Sequence, residues 1–187
     1  MRLRRGFKTE AHAIAREVRA ELGLRTDAPL DPRALADLLD VPVAGLSELA
    51  RTEPASVHQL SSLEPEAFSA VTVFRGTRRA IWHNDGHAPG RQASNIAHEL
   101  AHALLLHEPG AGVDADGARD WDPVAEAEAG WLGPALLISD EAAIAIAREG
   151  TPHEDAARIY NVSLRLLRFR LGVTGAELRV ARARRLS

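Results

Sequence analysis

Two histidines and a glutamate stand at a spacing that can bind a metal ion and activate a water molecule. His98, Glu99 and His102 form the pattern His-Glu-x-x-His. In a helix, residues four apart lie one above the other, about 6 Å along the axis, so both imidazoles can converge on one ion. Glu99 lies beside the same space and can act as a general base toward a zinc-activated water. This spacing predicts a zinc-dependent hydrolase.

The third metal ligand has two candidates. Catalytic zinc sites usually have three protein ligands and a water, and two histidines leave the ion one ligand short. Glu126 and Glu128 follow the pattern within a second helix-forming segment. Residues two apart point about 200° apart around a helix, so only one of them can face the metal. We expect the other carboxylate to lie in solvent, and the spacing leaves the choice open.

A pattern of three fixed positions also recurs in helices by chance, so the surrounding sequence must be weighed. That surrounding sequence favours catalysis over a chance match. Apolar Ile96, Leu100 and Leu104 predict that the metal-binding helix packs against a core. A β-hairpin is predicted before it, at 69–74 and 79–83. In zincin-like peptidases an edge strand beside the metal helix aligns the substrate backbone by β-augmentation.

Periodicity, capping residues and glycines place the remaining elements. The metal-binding helix should run from about 90 to 107, followed by a Gly- and Asp-rich loop. Residues 41–43 can form an edge strand, and 47–66 are not assigned. Further helices are predicted at 10–24, 34–39, 123–137 and 156–171. Gly130, Gly133 and Pro134 weaken the third of these. The last is broken at Asn161-Val162-Ser163, and Ser163 caps the helix that follows the break.

Composition excludes several classes of protein. The 187 residues include 23 basic and 26 acidic side chains, a net charge of −3 that argues against non-specific nucleic-acid binding. There is no cysteine, so a metal must be held by histidine and carboxylate. No apolar signal core and no run of roughly 18 apolar residues is present, which predicts a cytoplasmic protein with no membrane partner.

The chain resembles the ImmA/IrrE family of metallo-endopeptidases over about residues 6–176. The resemblance is carried by AFSAVTVFRGTRRAIWHND, by GRQASNIAHELAHALLLH, and by EAEAGWLGPALLIS followed by DEAAIAIAR. It implies zinc, or manganese, held by His98, His102 and Glu126, with Glu99 as the catalytic base. The family's Glu-x-x-Ala segment places its glutamate at Glu126, and Glu128 is the second choice.

The chain departs from the family pattern at three places. Gly130 stands where the family usually has Asn or Asp, Gly133-Pro134 replace small helix formers, and Ser139 stands where proline is usual. The missing side chain at Gly130 would remove a hydrogen bond to a histidine ligand, which bears on catalytic efficiency and metal affinity.

The resemblance also implies a fold and a partner. The expected class is α+β: a mostly helical zincin-like peptidase domain over 1–140 with a small antiparallel sheet, and a helix-turn-helix-like subdomain over 141–187. The substrate in this family is often a helix-turn-helix transcriptional repressor, so a separate partner protein is expected.

The alternative is a non-catalytic regulator that binds DNA or a repressor and has a structural or vestigial metal site. Arg165, Arg168 and Arg170 could read DNA, but packing or protein contact is favoured.

Two other residues have competing interpretations. Tyr160, the one tyrosine, could stabilise an oxyanion, but a core role is favoured. His107 lies near the predicted end of the metal-binding helix, where it could bind free carbonyls and interact favourably with the helix dipole.

Overall fold

The computed structural model describes residues 3–52, 68–75, 78–107 and 122–186. These form a mostly helical α+β fold, as the sequence predicts. The elements are α1 Phe7–Glu21, α2 Pro32–Leu38, β1 Val43–Gly45, α3 Leu46–Thr52, β2 Ala70–Arg75, β3 Arg78–His83, α4 Pro89–Leu104, α5 Pro123–Leu137, α6 Asp140–Glu149, α7 His153–Ile159, α8 Leu164–Thr174 and α9 Ala176–Leu186.

The sheet is mixed, and the prediction that it is antiparallel was wrong. Its strand order is β1-β3-β2, with β2 antiparallel and β1 parallel to β3. The hairpin pairs Ala70 with His83 and Arg75 with Arg78, while its turn, residues 76–77, lies outside the described residues. Parallel pairing needs a long connection between the two strands, and the chain between Gly45 and Arg78 is long enough to provide one. The predicted edge strand at 41–43 is β1, displaced by two residues.

Helix α4 ends three residues earlier than predicted. Leu106 adopts a left-handed conformation with φ 54°, which a helix cannot continue through. Its amide bonds to Ala103 O at 3.2 Å and the His107 amide to His102 O at 3.0 Å, the pairing of a Schellman motif. This C-terminal turn directs His107 back toward the last turn of α4.

Helix α5 has the predicted bounds, and its start is encoded locally. Asp122 caps it by accepting from the amides of Val124 and Ala125, and Pro123 occupies the first helical position. Pro134 lies inside the helix without ending it. The Gly- and Asp-rich loop predicted before α5 lies largely outside the described residues.

Glycines allow α4 to approach its neighbours closely. At Gly133 of α5, an added Cβ atom would lie 3.2 Å from both N and Cα of His98. At Gly90 of α4, an added Cβ would lie 2.9 Å from the carbonyl carbon of Val162. The middle of α4 therefore packs closely against α5, and the start of α4 packs closely against the turn between α7 and α8. In both places the backbones of the two segments are in contact.

Two buried arginines hold the C-terminal end of α5. Arg19 donates to the carbonyl oxygens of Leu136 and Leu137 at 2.8 and 3.3 Å, and Arg170 donates to Ile138 O at 2.8 Å. Burial lowers the pKa of Arg19 to about 10 and also lowers that of Arg170. These carbonyls are the groups that a helix end leaves without partners, so the arginines replace water there.

Two clusters of buried apolar residues form the core. One includes Phe7, Leu35, Ile81 and Leu100, and the other joins Leu137 and Ile138 to the C-terminal helices. Tyr160 belongs to the second cluster, and its hydroxyl donates to Asp27 O at 2.7 Å, which confirms its core role. The Ser163 cap of α8 is also confirmed, since its side chain accepts from the Leu166 amide. The domain division at residue 140 stays a prediction.

None of the helices in the described ranges is, by itself, long and apolar enough to cross a membrane. Helices α5 and α6 pass such a test only when joined, by length and composition, across a bend of 48°.

Candidate metal centre

The structure brings the side chains of His98, His102 and Glu126 together where α4 meets α5. The Nε2 atoms of the two histidines are 3.2 Å apart. Glu126 places one oxygen 3.3 Å from His98 Nε2 and the other 3.5 Å from His102 Nε2. Ligands at about 2.0–2.1 Å from a tetrahedral zinc ion lie about 3.3–3.4 Å from one another. The contacts between these side chains are therefore close to the ligand separations of a zinc site, and one ligand atom from each residue lies within 4.8 Å of the others.

The site is partly exposed, which leaves room for a substrate, and it is buried enough to favour the neutral, metal-binding form of the His102 imidazole. Side-chain exposures are 31% for His98, 21% for His102 and 22% for Glu126. Burial, together with the neighbouring rings of His98 and His107, lowers the pKa of His102 to about 4. The His102 imidazole is consequently neutral at pH 7, and only a neutral imidazole has a lone pair for a metal.

Glu99 is held by the sheet. Thr72 Oγ1 on β2 donates to Glu99 Oε2 at 2.6 Å. Thr72 pairs with Ile81 across the hairpin, on the face that packs against α4. The bond occupies one carboxylate oxygen and leaves the other free to accept from a water or a substrate. Sequence reasoning did not identify Thr72, because its partner is 27 residues away and on a different element.

Glu128 is not in solvent, so the expectation for the second carboxylate was wrong. Its side chain is only 6% exposed and accepts from Arg4 Nε at 2.7 Å. Its other oxygen lies 3.5 Å from His107 Nε2. Glu126 and Glu128 contact different residues, as helix geometry predicts, but the side of α5 that bears Glu128 faces Arg4 and His107 rather than water. A buried carboxylate requires such a cationic partner.

His107 contacts a candidate ligand instead of capping carbonyls with its side chain. His107 Nδ1 lies 2.9 Å from His102 Nδ1, on the side of that ring opposite Glu126. One signal in the sequence points to this contact, namely a histidine five residues after His102 at the end of a helix. The position of the ring depends on the turn at Leu106, which carries no glycine to mark it.

Gly130, where the family usually has Asn or Asp, leaves open space. A Cβ atom added there would have nothing within 4 Å. Whatever a polar side chain contributes at this position in relatives is absent from this chain.

A helix-borne His-His-Glu cluster with an adjacent glutamate defines a candidate metal-dependent hydrolase. A model of peptidase family M78, described as the IrrE N-terminal-like domain, matches residues 58–172. The chain therefore belongs to this family, which agrees with the resemblance found in the sequence and indicates a metallopeptidase. No curated protein matches the chain significantly.

Proposed function

We propose that this protein is a zinc-dependent endopeptidase in which His98, His102 and Glu126 bind the ion and Glu99 is the catalytic base. The observation that carries the proposal is the clustering of the two Nε2 atoms, 3.2 Å apart, with one Glu126 oxygen 3.3 Å from His98 Nε2 and its other oxygen 3.5 Å from His102 Nε2. These separations are close to those between ligands of a tetrahedral zinc ion. The donor set of two imidazoles and one carboxylate is that of known catalytic zinc sites.

The residues of the site divide the chemistry among them. His98, His102 and Glu126 would hold a zinc ion, which would supply Lewis-acid chemistry for activating water near neutral pH and polarising the peptide carbonyl. Glu99 accepts the proton of the attacking water and then delivers it to the departing amine nitrogen. Thr72 holds the Glu99 carboxylate through one oxygen, so the proton is handled by the other. The orientation of this carboxylate is set before substrate arrives.

The strand β2 can align a peptide substrate. It pairs with β3 along one side, and no strand of the described residues pairs with its other side. The strand packs against α4, and its Thr72 side chain contacts Glu99, so β2 lies beside the proposed catalytic base. An extended peptide added to this edge would pass the site in the manner of β-augmentation.

The substrate we propose is a transcriptional repressor in the cytoplasm, on the grounds of the family resemblance. The experiment compares N-terminal peptide profiles of cells that express the wild type or Glu99→Gln. Metal content of both proteins, purified without chelator, serves as the control. We expect equal metal and new N-termini, in a repressor, only with the wild type, because Gln cannot accept the proton.

The same profile from both proteins would overturn the proposed catalysis. It would favour the alternative, a regulator that binds DNA or a repressor without cleaving it. Metal content also tests the ligands: Glu126→Ala should lose zinc, whereas Glu128→Ala should retain part of it. Full zinc in Glu126→Ala would show that the third ligand has been assigned wrongly.

A further inference from the structure

We propose that His107, backed by Glu128 and Arg4, is a positioning residue that fixes His102 in its metal-binding tautomer. The inference rests on the proposed function, because it takes His102 to be a ligand. A neutral imidazole carries its proton on one nitrogen and its lone pair on the other. The nitrogen of His102 that faces His98 and Glu126 is Nε2. Metal binding therefore requires the proton to be on Nδ1.

The contact between His102 and His107 selects this tautomer. Their Nδ1 atoms are 2.9 Å apart, and the ring planes cross at 70°. Between two neutral rings at this distance, one nitrogen must donate and the other must accept. When His107 Nδ1 accepts, His102 Nδ1 holds its proton and His102 Nε2 is free for the metal.

Glu128 determines which ring accepts. One Glu128 oxygen lies 3.5 Å from His107 Nε2, so its negative charge favours a proton on that nitrogen. A neutral His107 with its proton on Nε2 has its lone pair on Nδ1, facing His102. Arg4 Nε donates to the other oxygen of Glu128 at 2.7 Å and supplies the cationic partner of this buried carboxylate. Arg4 thus donates to Glu128 and His102 donates to His107, while the Glu128 carboxylate lies beside the Nε2 proton of His107.

The fold maintains this arrangement by shielding the side chains from water and by holding Leu106 in an unfavourable backbone conformation. His107 is 14% exposed and Glu128 is 6% exposed, so both side chains are shielded from competing water. The left-handed Leu106 directs His107 onto His102, although its own side chain is 79% exposed and gains little from packing. Left-handed conformations are unfavourable for residues with a branched side chain, and they persist where surrounding contacts enforce them.

The test compares His107→Asn with His107→Phe. The Asn carbonyl oxygen can occupy the place of Nδ1 and accept from His102, whereas Phe keeps the ring and has no acceptor. Zinc affinity is measured by competition with a chromophoric chelator, and the visible spectrum of the cobalt-substituted protein reports the ligand field. We expect His107→Phe to lose about 10- to 100-fold in affinity and to shift the spectrum, since partners of ligands typically have effects of this size. His107→Asn should remain near wild type.

Two controls separate tautomer control from folding. His153→Phe replaces a histidine outside the site, with a side chain 37% exposed, and should leave affinity and spectrum unchanged. Thermal unfolding in excess chelator shows whether each apo variant is folded. Should His107→Phe fail to fold, Glu128→Gln tests the same chain of donors, and we expect weaker zinc binding and a shifted cobalt spectrum.

The outcomes also separate this inference from the proposed function. Equal affinity and spectrum in His107→Phe and the wild type would overturn the role of His107. Equal losses in a folded His107→Asn and in His107→Phe would show that an acceptor at this position is not what matters, and would also overturn it. If instead the wild type binds no stoichiometric zinc and His102→Ala behaves the same, the proposed metal site itself is wrong.

Discussion

The contact between Gly133 and His98 sets how closely the two ligand-bearing helices approach. A Cβ at residue 133 would lie 3.2 Å from N and Cα of His98 and 3.3 Å from Ala97 C. These are backbone atoms of α4, which cannot rotate away as a side chain can. Gly133→Ala should therefore push α5 from α4 by a few tenths of an ångström and carry Glu126 away from the two histidines.

Gly130→Ala is a matched control in the same helix, because a Cβ there meets nothing within 4 Å. Replacing Gly by Ala inside a helix gains about 1 kcal/mol of intrinsic propensity, and this gain applies to both variants. Overpacking at residue 133 costs about 1–3 kcal/mol. The free energies of unfolding should therefore differ by about 1–3 kcal/mol, with Gly133→Ala the less stable, a gap of about 2–4 °C in Tm per kcal/mol.

Metal binding gives the more specific readout. Zinc ligands tolerate deviations of about 0.2 Å, so the expected separation should weaken zinc binding roughly tenfold in Gly133→Ala. Chelator competition and calorimetric unfolding, with and without zinc, measure both effects. Wild-type zinc affinity in Gly133→Ala, together with stabilisation equal to that of Gly130→Ala, would refute the argument that this glycine sets the geometry of the site.

Three further substitutions test individual contacts. Thr72→Val removes the hydrogen bond to Glu99 while keeping the shape of the side chain, so kcat should fall about tenfold or more with zinc content unchanged, as metal analysis and peptidase assays would show. Arg19→Met leaves the carbonyls at the end of α5 without partners and should lower the free energy of unfolding in urea by about 2–4 kcal/mol; an unchanged midpoint would contradict this. Leu106→Gly relieves the left-handed strain and should raise stability by about 0.5–1 kcal/mol in the same assay, with zinc affinity retained.

Local signals were enough to predict the two helices that carry the site. The periodicity of α4 and the Asp122-Pro123 start of α5 lie within the segments themselves, so these helices could be anticipated. The choice of Glu126 over Glu128 came from the family resemblance and not from these local signals. The parallel pairing of β1 with β3 could not be predicted from the sequence, because strand direction depends on the path of a long connection. The burial of Glu128 could not either, since its cationic partner is 124 residues away in the sequence.

The close approach at Gly90 couples the C-terminal helices to the first turn of α4. Because a methyl group at residue 90 would already lie 2.9 Å from the backbone of Val162, the two segments have no clearance in which to slide independently. A macromolecule that shifts the turn between α7 and α8 must also displace the start of the helix bearing His98 and His102. Binding at the turn between α7 and α8 would thus change the positions of the His98 and His102 imidazoles.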